Sequence, residues 1–199
     1  EVMDINEEAY REGRLESKLY GYLMVPEVAG LVQSGKEATT YSESSHENQT
    51  AIARYIIEGM LADTLYLLGA GSTTTAIAER LKVKKTLLGV DAIYNNRVVA
   101  GNLNEKGILE LLKHHKKVKI IISPIGGNGF IFGRGNQEFS PAVLKLIEKE
   151  DIIVVATRDK INRAASLRVD TNDAAVDSKL KGFMRVVTHY NEEVVVEVV

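Results

Sequence analysis

The segment VKIIISPIGGNGFIFGRGNQ, residues 118–137, decides the fold of this chain. Its first five residues are rich in valine and isoleucine, which is typical of a buried parallel strand. The fifteen residues that follow contain five glycines, too many for an ordinary helix or strand, because glycine costs conformational entropy in either. A buried strand that runs directly into such a loop predicts an open α/β sheet with a ligand near the carboxyl end of that strand.

The segments on both sides of this strand continue an alternation of strands and helices. Strands are predicted at residues 64–68, 86–90, 118–122 and 152–156, and helices at 48–62, 74–81, 105–114 and 141–148. Such alternation builds a Rossmann-like parallel sheet with helices on both faces. Strands predicted at 19–25, 183–188 and 194–199, the last two joined by a turn at Tyr190 and Asn191, add flanking β elements at both ends of the chain.

The composition excludes several classes of function. A formal charge of −2 over 199 residues, with scattered lysines, gives no basic surface, so nucleic acid is not an expected partner. The lack of cysteine excludes disulfides and thiolate metal sites and fits a cytoplasmic protein. No apolar run approaches the roughly 20 residues of a membrane span, so no membrane association is expected. The sequence shows no histidine or carboxylate cluster, and we predict no metal site.

The segment LLGAGSTTT, residues 67–75, places glycines and hydroxyl residues between a strand and a helix. The first turn of a helix has unpaired amides and the positive end of the helix dipole, so this segment suits a phosphate group. The residues predicted to hold it are Gly69, Gly71, Ser72, Thr73 and Thr74. An equally good interpretation is a tight turn in which Ser72 or Thr73 caps the helix.

Two aspartates are candidates for contact with a ligand. Asp91 lies about 20 residues beyond Gly71, the spacing at which Rossmann folds hold a ribose hydroxyl. Its alternative role, the more frequent one, is to begin the turn at residues 95–97. Asp170 belongs to the segment LRVDTND, residues 167–173, where helix capping by Asp170 and Asp173 is at least as good an explanation.

The glycine-rich segment 123–137, called here the glycine loop, is the stronger candidate for a ligand site. A purely structural loop needs few of the hydrogen-bond donors that this segment carries. Its backbone amides and its arginine and amide side chains suit phosphate or amide groups of a ligand. The predicted binding residues are Gly126, Gly127, Asn128, Gly129, Arg134, Gly135, Asn136 and Gln137.

Taken in order, the segments GAGSTTTAIAERL, LLGVDA, PIGGNGFIFGRGNQ, IIVVAT and LRVDT resemble the ATP-NAD kinase-like family that includes the AcoX proteins of acetoin gene clusters. The resemblance covers nearly the whole chain, and its glycine-arginine-asparagine block is highly specific. The chain departs from the family pattern at Ser123, usually threonine, and at Asn128, usually glutamine. The family's ATPGK appears as ATRDK at residues 156–160, which loses a turn proline.

The resemblance implies the nucleotide-binding portion of an NAD kinase, which transfers a phosphoryl group from ATP or polyphosphate to NAD and forms NADP. It implies NAD or NADP and ATP as ligands, Mg²⁺ as their companion, and a homo-oligomer. The chain is predicted to have three parts. These are an amino-terminal β element (1–40) packed with the carboxyl-terminal strands, a Rossmann-like nucleotide-binding domain (45–163), and a carboxyl-terminal β/α segment (164–199).

The family's kinases carry a GGDGT loop whose aspartate acts as base on the ribose hydroxyl, and this sequence has no such loop. Asn128 of the GGNG run cannot replace it, because an amide does not accept the proton. We therefore expect the chain alone to be inactive, with no catalytic residue assigned. The missing initiator methionine and the acidic lead into the first strand suggest that further residues lie upstream.

Two alternatives remain open from the sequence. One is a regulatory module that binds a nucleotide without chemistry. The other is a sugar-phosphate isomerase, since glycine-serine-threonine turns after a first strand also occur in ribose-phosphate and glucosamine-phosphate isomerases. That enzyme needs a base near the phosphate, for which Asp91 and Asp170 are the candidates.

Overall fold

The computed structural model describes residues 2–6, 9, 16–24, 43–125 and 127–199. The chain divides into two units, Glu1–Gly35 and Lys36–Val199. In the first unit, strands β1 (Val2–Ile5) and β2 (Ser17–Gly21) pair antiparallel. The strand predicted at 19–25 is therefore observed at Ser17–Gly21, and residues 22–24 have no regular secondary structure. Its proposed packing against the carboxyl-terminal strands stays a prediction.

The second unit alternates helices and strands, as its sequence predicts. Its elements in chain order are α1 (Glu43–Glu58), β3 (Leu65–Leu68), α2 (Ser72–Arg80), β4 (Val90–Tyr94), β5 (Arg97–Leu103), α3 (Glu105–His114), β6 (Val118–Ile122), β7 (Phe130–Phe132), α4 (Pro141–Leu144), a 3₁₀ turn (Lys149–Asp151), β8 (Ile152–Val155), α5 (Arg158–Ala164), β9 (Arg168–Val169), α6 (Ala174–Leu180), β10 (Gly182–His189) and β11 (Glu192–Val198). None of the described helices is long and apolar enough to cross a lipid bilayer.

The main sheet has seven strands in the order β11-β10-β8-β6-β3-β4-β5. Strands β10, β8, β6 and β3 run parallel, whereas β4, β5 and β11 are antiparallel to their neighbours. Helices cover both faces: Ile52 of α1 and Ile77 of α2 pack on one side, and Ile108 of α3 and Leu180 of α6 on the other. Strands buried on both faces are typical of parallel α/β sheets, and the predicted α/β class is confirmed.

The strand predicted at 86–90 is wrong. Residues 83–89 form a loop, and β4 begins at Val90 and runs antiparallel to β3. A two-residue turn at Asn95 and Asn96, whose φ angles are 47° and 61°, then joins β4 to β5 in a tight hairpin. This side of the sheet is therefore antiparallel, where the alternation predicted a parallel strand.

Several smaller boundaries also differ from the predictions. Helix α1 begins at Glu43, five residues before the predicted start at residue 48. The helix predicted at 141–148 ends at Leu144, and the carbonyl of Ile147 accepts a hydrogen bond from Lys179 instead of continuing the helix. Helix α5 and strands β7 and β9 were not predicted, because each is short and lacks a clear apolar period. The predicted hairpin at the carboxyl-terminal end is confirmed.

The glycine loop passes against the backbone of the segment that contains β9. Gly129 and Gly133 have φ angles of 75° and 90°, a region that side chains rarely adopt. A Cβ on Gly129 would lie 2.2 Å from the carbonyl oxygen of Ser166, and one on Gly133 would lie 1.8 Å from that of Asp170. At these two positions, therefore, the glycines allow the loop backbone to pack closely against another segment of the same chain and not against a ligand.

Replacement of Gly133 tests this packing. Gly133→Ala should lower the free energy of unfolding by more than about 2 kcal/mol, because backbone strain adds to a direct clash. Gly59→Ala is the matched control, since its added Cβ would lie 3.5 Å from the nearest atom, and it should change that free energy by less than about 0.5 kcal/mol. Urea unfolding measures both. Equal, small effects would contradict the packing argument.

Candidate functional site

Three parallel strands end at one edge of the main sheet, called here the carboxyl edge. β3 ends before Gly69, β6 before Ser123 and β8 before Ala156. The backbone pairing extends past β3 and β8, because the amide of Gly69 donates to Ile121 and that of Ala156 donates to Val187. Ligands of open α/β sheets bind at this edge, so residues that follow these strands are the candidates for a site.

The turn after β3 leads directly into helix α2. Gly71, with φ 122°, is the residue that precedes the helix, and no side chain caps the helix there. The alternative in which Ser72 or Thr73 caps the helix is therefore wrong. The hydroxyl of Thr74 lies 2.7 Å from the carbonyl oxygen of Gly69 and 2.8 Å from that of Gly71, so it holds the turn closed. Within the described part of the chain, no side chain accepts a hydrogen bond from the first-turn amides of α2.

Lys160 brings a positive charge to the same edge. It lies on α5, which follows β8, and its ammonium donates to the hydroxyl of Ser123 over 3.1 Å. Ser123 in turn lies beside the α2 turn, because a Cβ built on Gly71 would be 3.9 Å from the Cβ of Ser123. Burial lowers the pKa of Lys160 to about 8. Among the described residues, no carboxylate lies within ion-pair distance of this ammonium.

Asn136 completes the group from the glycine loop. Its side chain is fully buried, and its amide nitrogen donates to the carbonyl of Ile131 over 3.0 Å. Its Oδ1 has no hydrogen-bond partner among the described residues and lies 3.6 Å from the position of a Cβ on Gly69. We define the edge site as the first turn of α2, Ser123, Asn136 and Lys160.

Sequence reasoning found most of the edge site but missed Lys160 and Ser123. Both residues belong to segments that carry the family resemblance, but no binding role was predicted for either of them. The signal for Lys160 was the strand-turn-helix pattern around ATRDK, residues 156–160, which places a lysine just beyond a strand end. The signal for Ser123 was its position directly after β6.

The other residues predicted in the glycine loop have different surroundings. Arg134 is exposed, donates to Asp170 over 2.8 Å and lies 5.0 Å above the ring of Phe130. A Cβ on Gly135 would lie 2.8 Å from the Ile125 side chain. Gly127 and Gln137 are exposed, Asn128 is half-buried, and Gly126 lies outside the described residues. Contact of these residues with a ligand stays a prediction.

Asp91 lies inside β4 and is almost fully buried, so it neither ends a strand nor begins the turn at 95–97. Its carboxylate accepts hydrogen bonds from the amide and hydroxyl of Thr86, at 2.5 and 3.0 Å, and from the amide of Asn102 at 2.7 Å. The ammonium of Lys85 lies 3.9 Å away. These contacts anchor the loop 83–89 to β5, and a ribose role for Asp91 stays a prediction.

Asp173, by contrast, is a helix cap. Its carboxylate accepts from the amides of Ala175 and Val176, both at 3.1 Å, and pairs with Lys145. Neighbouring Thr171 donates to Asp177 over 2.6 Å. Capping therefore accounts for Asp173, while Asp170 faces Arg134 as described above.

The described residues contain no group of three histidines, cysteines or carboxylates that could hold a metal ion. No residue of the edge site lines either of two shallow clefts of about 380 and 420 Å³. The first is lined by residues of β1, β2 and their flanks, and the second by residues of α5 and β11. The chemistry of the buried edge residues, rather than concavity, therefore identifies the candidate site.

Asp91→Asn tests whether that residue is structural. It should lower the free energy of unfolding by about 3 kcal/mol, because the buried Lys85 ammonium loses its counter-charge. The matched control is Asp173→Asn, which should lower it by less than about 1 kcal/mol because asparagine also caps helices well. Urea unfolding measures both. An Asp91→Asn variant of normal stability that fails to bind a dinucleotide would support the ribose role instead.

The lowered pKa of Lys160 predicts a rise of stability with pH. Lysine in an unfolded chain titrates at about 10.5, so between pH 8 and that value the unfolded state holds a proton that the folded state has lost. The free energy of unfolding then increases with pH, by about 1.4 kcal/mol for each unit of difference in pKa. Lys160→Met should remove this part of the rise, measured by urea unfolding in phosphate-free buffers. Parallel pH curves for variant and wild type would contradict the burial of the ammonium.

The family suggested by the sequence motifs is confirmed by comparison with protein families. Residues 61–198 match the family model described as the ATP-NAD kinase C-terminal domain. No curated protein and no solved structure is significantly similar to the chain. The match begins ahead of β3 and includes the α2 turn, the glycine loop, Lys160 and the carboxyl-terminal strands. Because it spans more than half of the sequence, the chain belongs to the family of ATP-NAD kinase C-terminal domains.

Proposed function

We propose that this chain is the nucleotide-binding portion of an NAD kinase-type protein and that its edge site holds a phosphate group of the nucleotide. One observation carries the proposal. The uncapped first turn of α2 and the shielded ammonium of Lys160 both lie next to Ser123, and this ammonium has no acidic partner among the described residues. Helix amides and a lysine at the carboxyl edge of an α/β sheet are the groups that bind phosphate in many nucleotide sites.

The ligands that fit the family are NAD or NADP and ATP or polyphosphate. The described residues offer no cluster of carboxylates for a resident cation. Mg²⁺ would therefore be held mainly by the phosphates of the nucleotide, as is common because this ion keeps several waters. The amide oxygen of Asn136, which needs a donor, suits a hydroxyl of the ribose.

We further propose that this chain binds the nucleotide without transferring a phosphoryl group. Transfer to NAD needs a base on the ribose hydroxyl, and the sequence has no GGDGT loop to supply one. Asp91 is a poor substitute, because its carboxylate is buried and accepts three hydrogen bonds from the protein. The same engagement makes Asp91 a poor base for a sugar-phosphate isomerase.

Two further features of the proposal concern the setting of the chain. We propose a cytoplasmic location, which the lack of cysteine favours. We also propose a homo-oligomer that forms through the β10–β11 hairpin, where Phe183 and Val195 are 69% and 67% exposed. Their register places both side chains on one face of the hairpin.

Ser72→Asp separates phosphate binding from folding. A carboxylate in the first turn of α2 should leave stability unchanged or raise it by about 0.5 kcal/mol through the helix dipole, while it repels a phosphate. Calorimetric titration with NAD, NADP and ATP should show affinities at least about tenfold weaker than wild type. Ser72→Ala, the control, should bind nearly normally. Neither variant nor wild type should form NADP from NAD and ATP.

Three results would contradict the proposal. Unchanged affinity of Ser72→Asp for every nucleotide would remove the phosphate from the α2 turn. Binding of ribose 5-phosphate with no binding of NAD, NADP or ATP would favour the isomerase. Steady NADP formation by the wild-type chain would contradict the prediction that it lacks activity.

A further inference from the structure

Lys85 and Lys160 are half-buried residues whose shielded ammonium groups have different surroundings. The Lys85 ammonium donates to the carbonyls of Thr86 and Gly89, at 2.8 and 3.3 Å, and faces the Asp91 carboxylate. Among the described residues, the Lys160 ammonium donates only to the neutral hydroxyl of Ser123. An ammonium has three donors, and its burial without compensation is costly. The ammonium of Lys85 thus has hydrogen-bond acceptors and a counter-charge from the protein. The ammonium of Lys160 has neither a carbonyl acceptor nor a carboxylate among the described residues.

The charged side chains near Lys160 do not compensate it. Those on α5 itself are Arg158, Asp159 and Arg163, and Glu192, at the start of β11, is the partner of Arg158. The lysine end contacts Ser123, which follows β6 and lies beside the α2 turn, and neither Ser123 nor that turn carries a charged side chain. A counter-charge for this ammonium would have to come from outside the described residues.

The edge site has a positive charge of about one and a half units. The ammonium contributes one, and the start of α2 adds roughly half a charge from the helix dipole. A phosphomonoester carries about −1.5 to −2 at pH 7, whereas each internal phosphate of a dinucleotide carries only one negative charge. The charge of the edge site therefore matches a terminal phosphate better than an internal one.

A second observation indicates a ligand independently of charge. The fully buried Oδ1 of Asn136 has no hydrogen-bond partner among the described residues. Its orientation is fixed because Nδ2 donates to the carbonyl of Ile131. A buried acceptor beside Gly69 suits a ligand that carries a hydroxyl as well as a phosphate, as a ribose phosphate does.

We propose that the edge site binds a terminal phosphomonoester and that Lys160 is the residue that selects it over a phosphodiester. The proposal rests on the proposed function, because it uses the same α2 turn. A bound dianion restores the counter-charge of the ammonium, so binding should be accompanied by proton uptake near pH 8. Affinity should fall above pH 8 as Lys160 loses its proton, and below about pH 6 as the ligand gains one.

The test compares 5′-AMP, a monoester, with 3′,5′-cyclic AMP, a diester, by calorimetric titration. Wild type should bind AMP at least about tenfold more tightly, the effect of one strong charge-assisted hydrogen bond. Lys160→Met should weaken AMP binding by about tenfold or more and cyclic AMP binding by less than about threefold. Lys113→Met removes an exposed lysine of α3 and controls for net charge; it should leave both affinities unchanged.

The pH dependence of AMP affinity in the wild-type chain tests the same inference without a variant. It therefore replaces the first test if Lys160→Met fails to fold. AMP affinity should peak between about pH 6 and 8, with proton uptake at pH 8 that Lys113→Met retains. Equal affinity for AMP and cyclic AMP, or a flat profile above pH 8, would overturn the inference. If both ligands bind but lose affinity only in Ser72→Asp, the proposed function survives and the role of Lys160 does not. If no nucleotide binds, both fail.

Discussion

The pairing of β6 with β3 and β8 is the constraint on which the rest of the structure depends. The register sets Leu68 opposite Ile121 and Ile122 opposite Val154, so the three strands end within a residue or two of one another. Both faces of these strands are buried under helices. Side chains within the strands therefore cannot reach a ligand, and any polar chemistry must come from residues beyond the strand ends or from the helices that follow them.

The glycine loop positions one part of that chemistry through packing. Gly129 and Gly133 allow the loop to lie against the backbone of Ser166 and Asp170, and β7 pairs with β9 as a result. This fixed path carries Asn136 into the interior beside Gly69. The high glycine content thus serves mainly contact within the chain, and the loop side chain that the structure brings to the edge site is the buried amide of Asn136 rather than the exposed Arg134.

Local patterns explain which parts of the fold could be predicted. The strand at 118–122 and the helix at 105–114 match their predictions, because each has a strong apolar pattern, and the helix also has a capping residue, Asn104. The strand predicted at 86–90 was wrong because residues 86–89 lie in a loop that the Asp91 carboxylate anchors through hydrogen bonds, a side-chain contact that periodicity does not report. Lys160 was missed for a similar reason: a lysine is expected to be solvated, and only the three-dimensional packing of α5 against Ser123 buries it.

The burial of Lys160 connects stability with binding. A desolvated ammonium without a carboxylate destabilises the folded chain, and a well-packed apolar residue in its place would be more stable. The same low-dielectric surroundings strengthen its attraction to an anion. The charge of Lys85 is already balanced by Asp91, so Lys85 has no comparable attraction to an added anion. The fold thus neutralises Lys85 with its own carboxylate but leaves Lys160 without one among the described residues. Such a loss of stability at the carboxyl edge is consistent with the stability that proteins give up at functional sites.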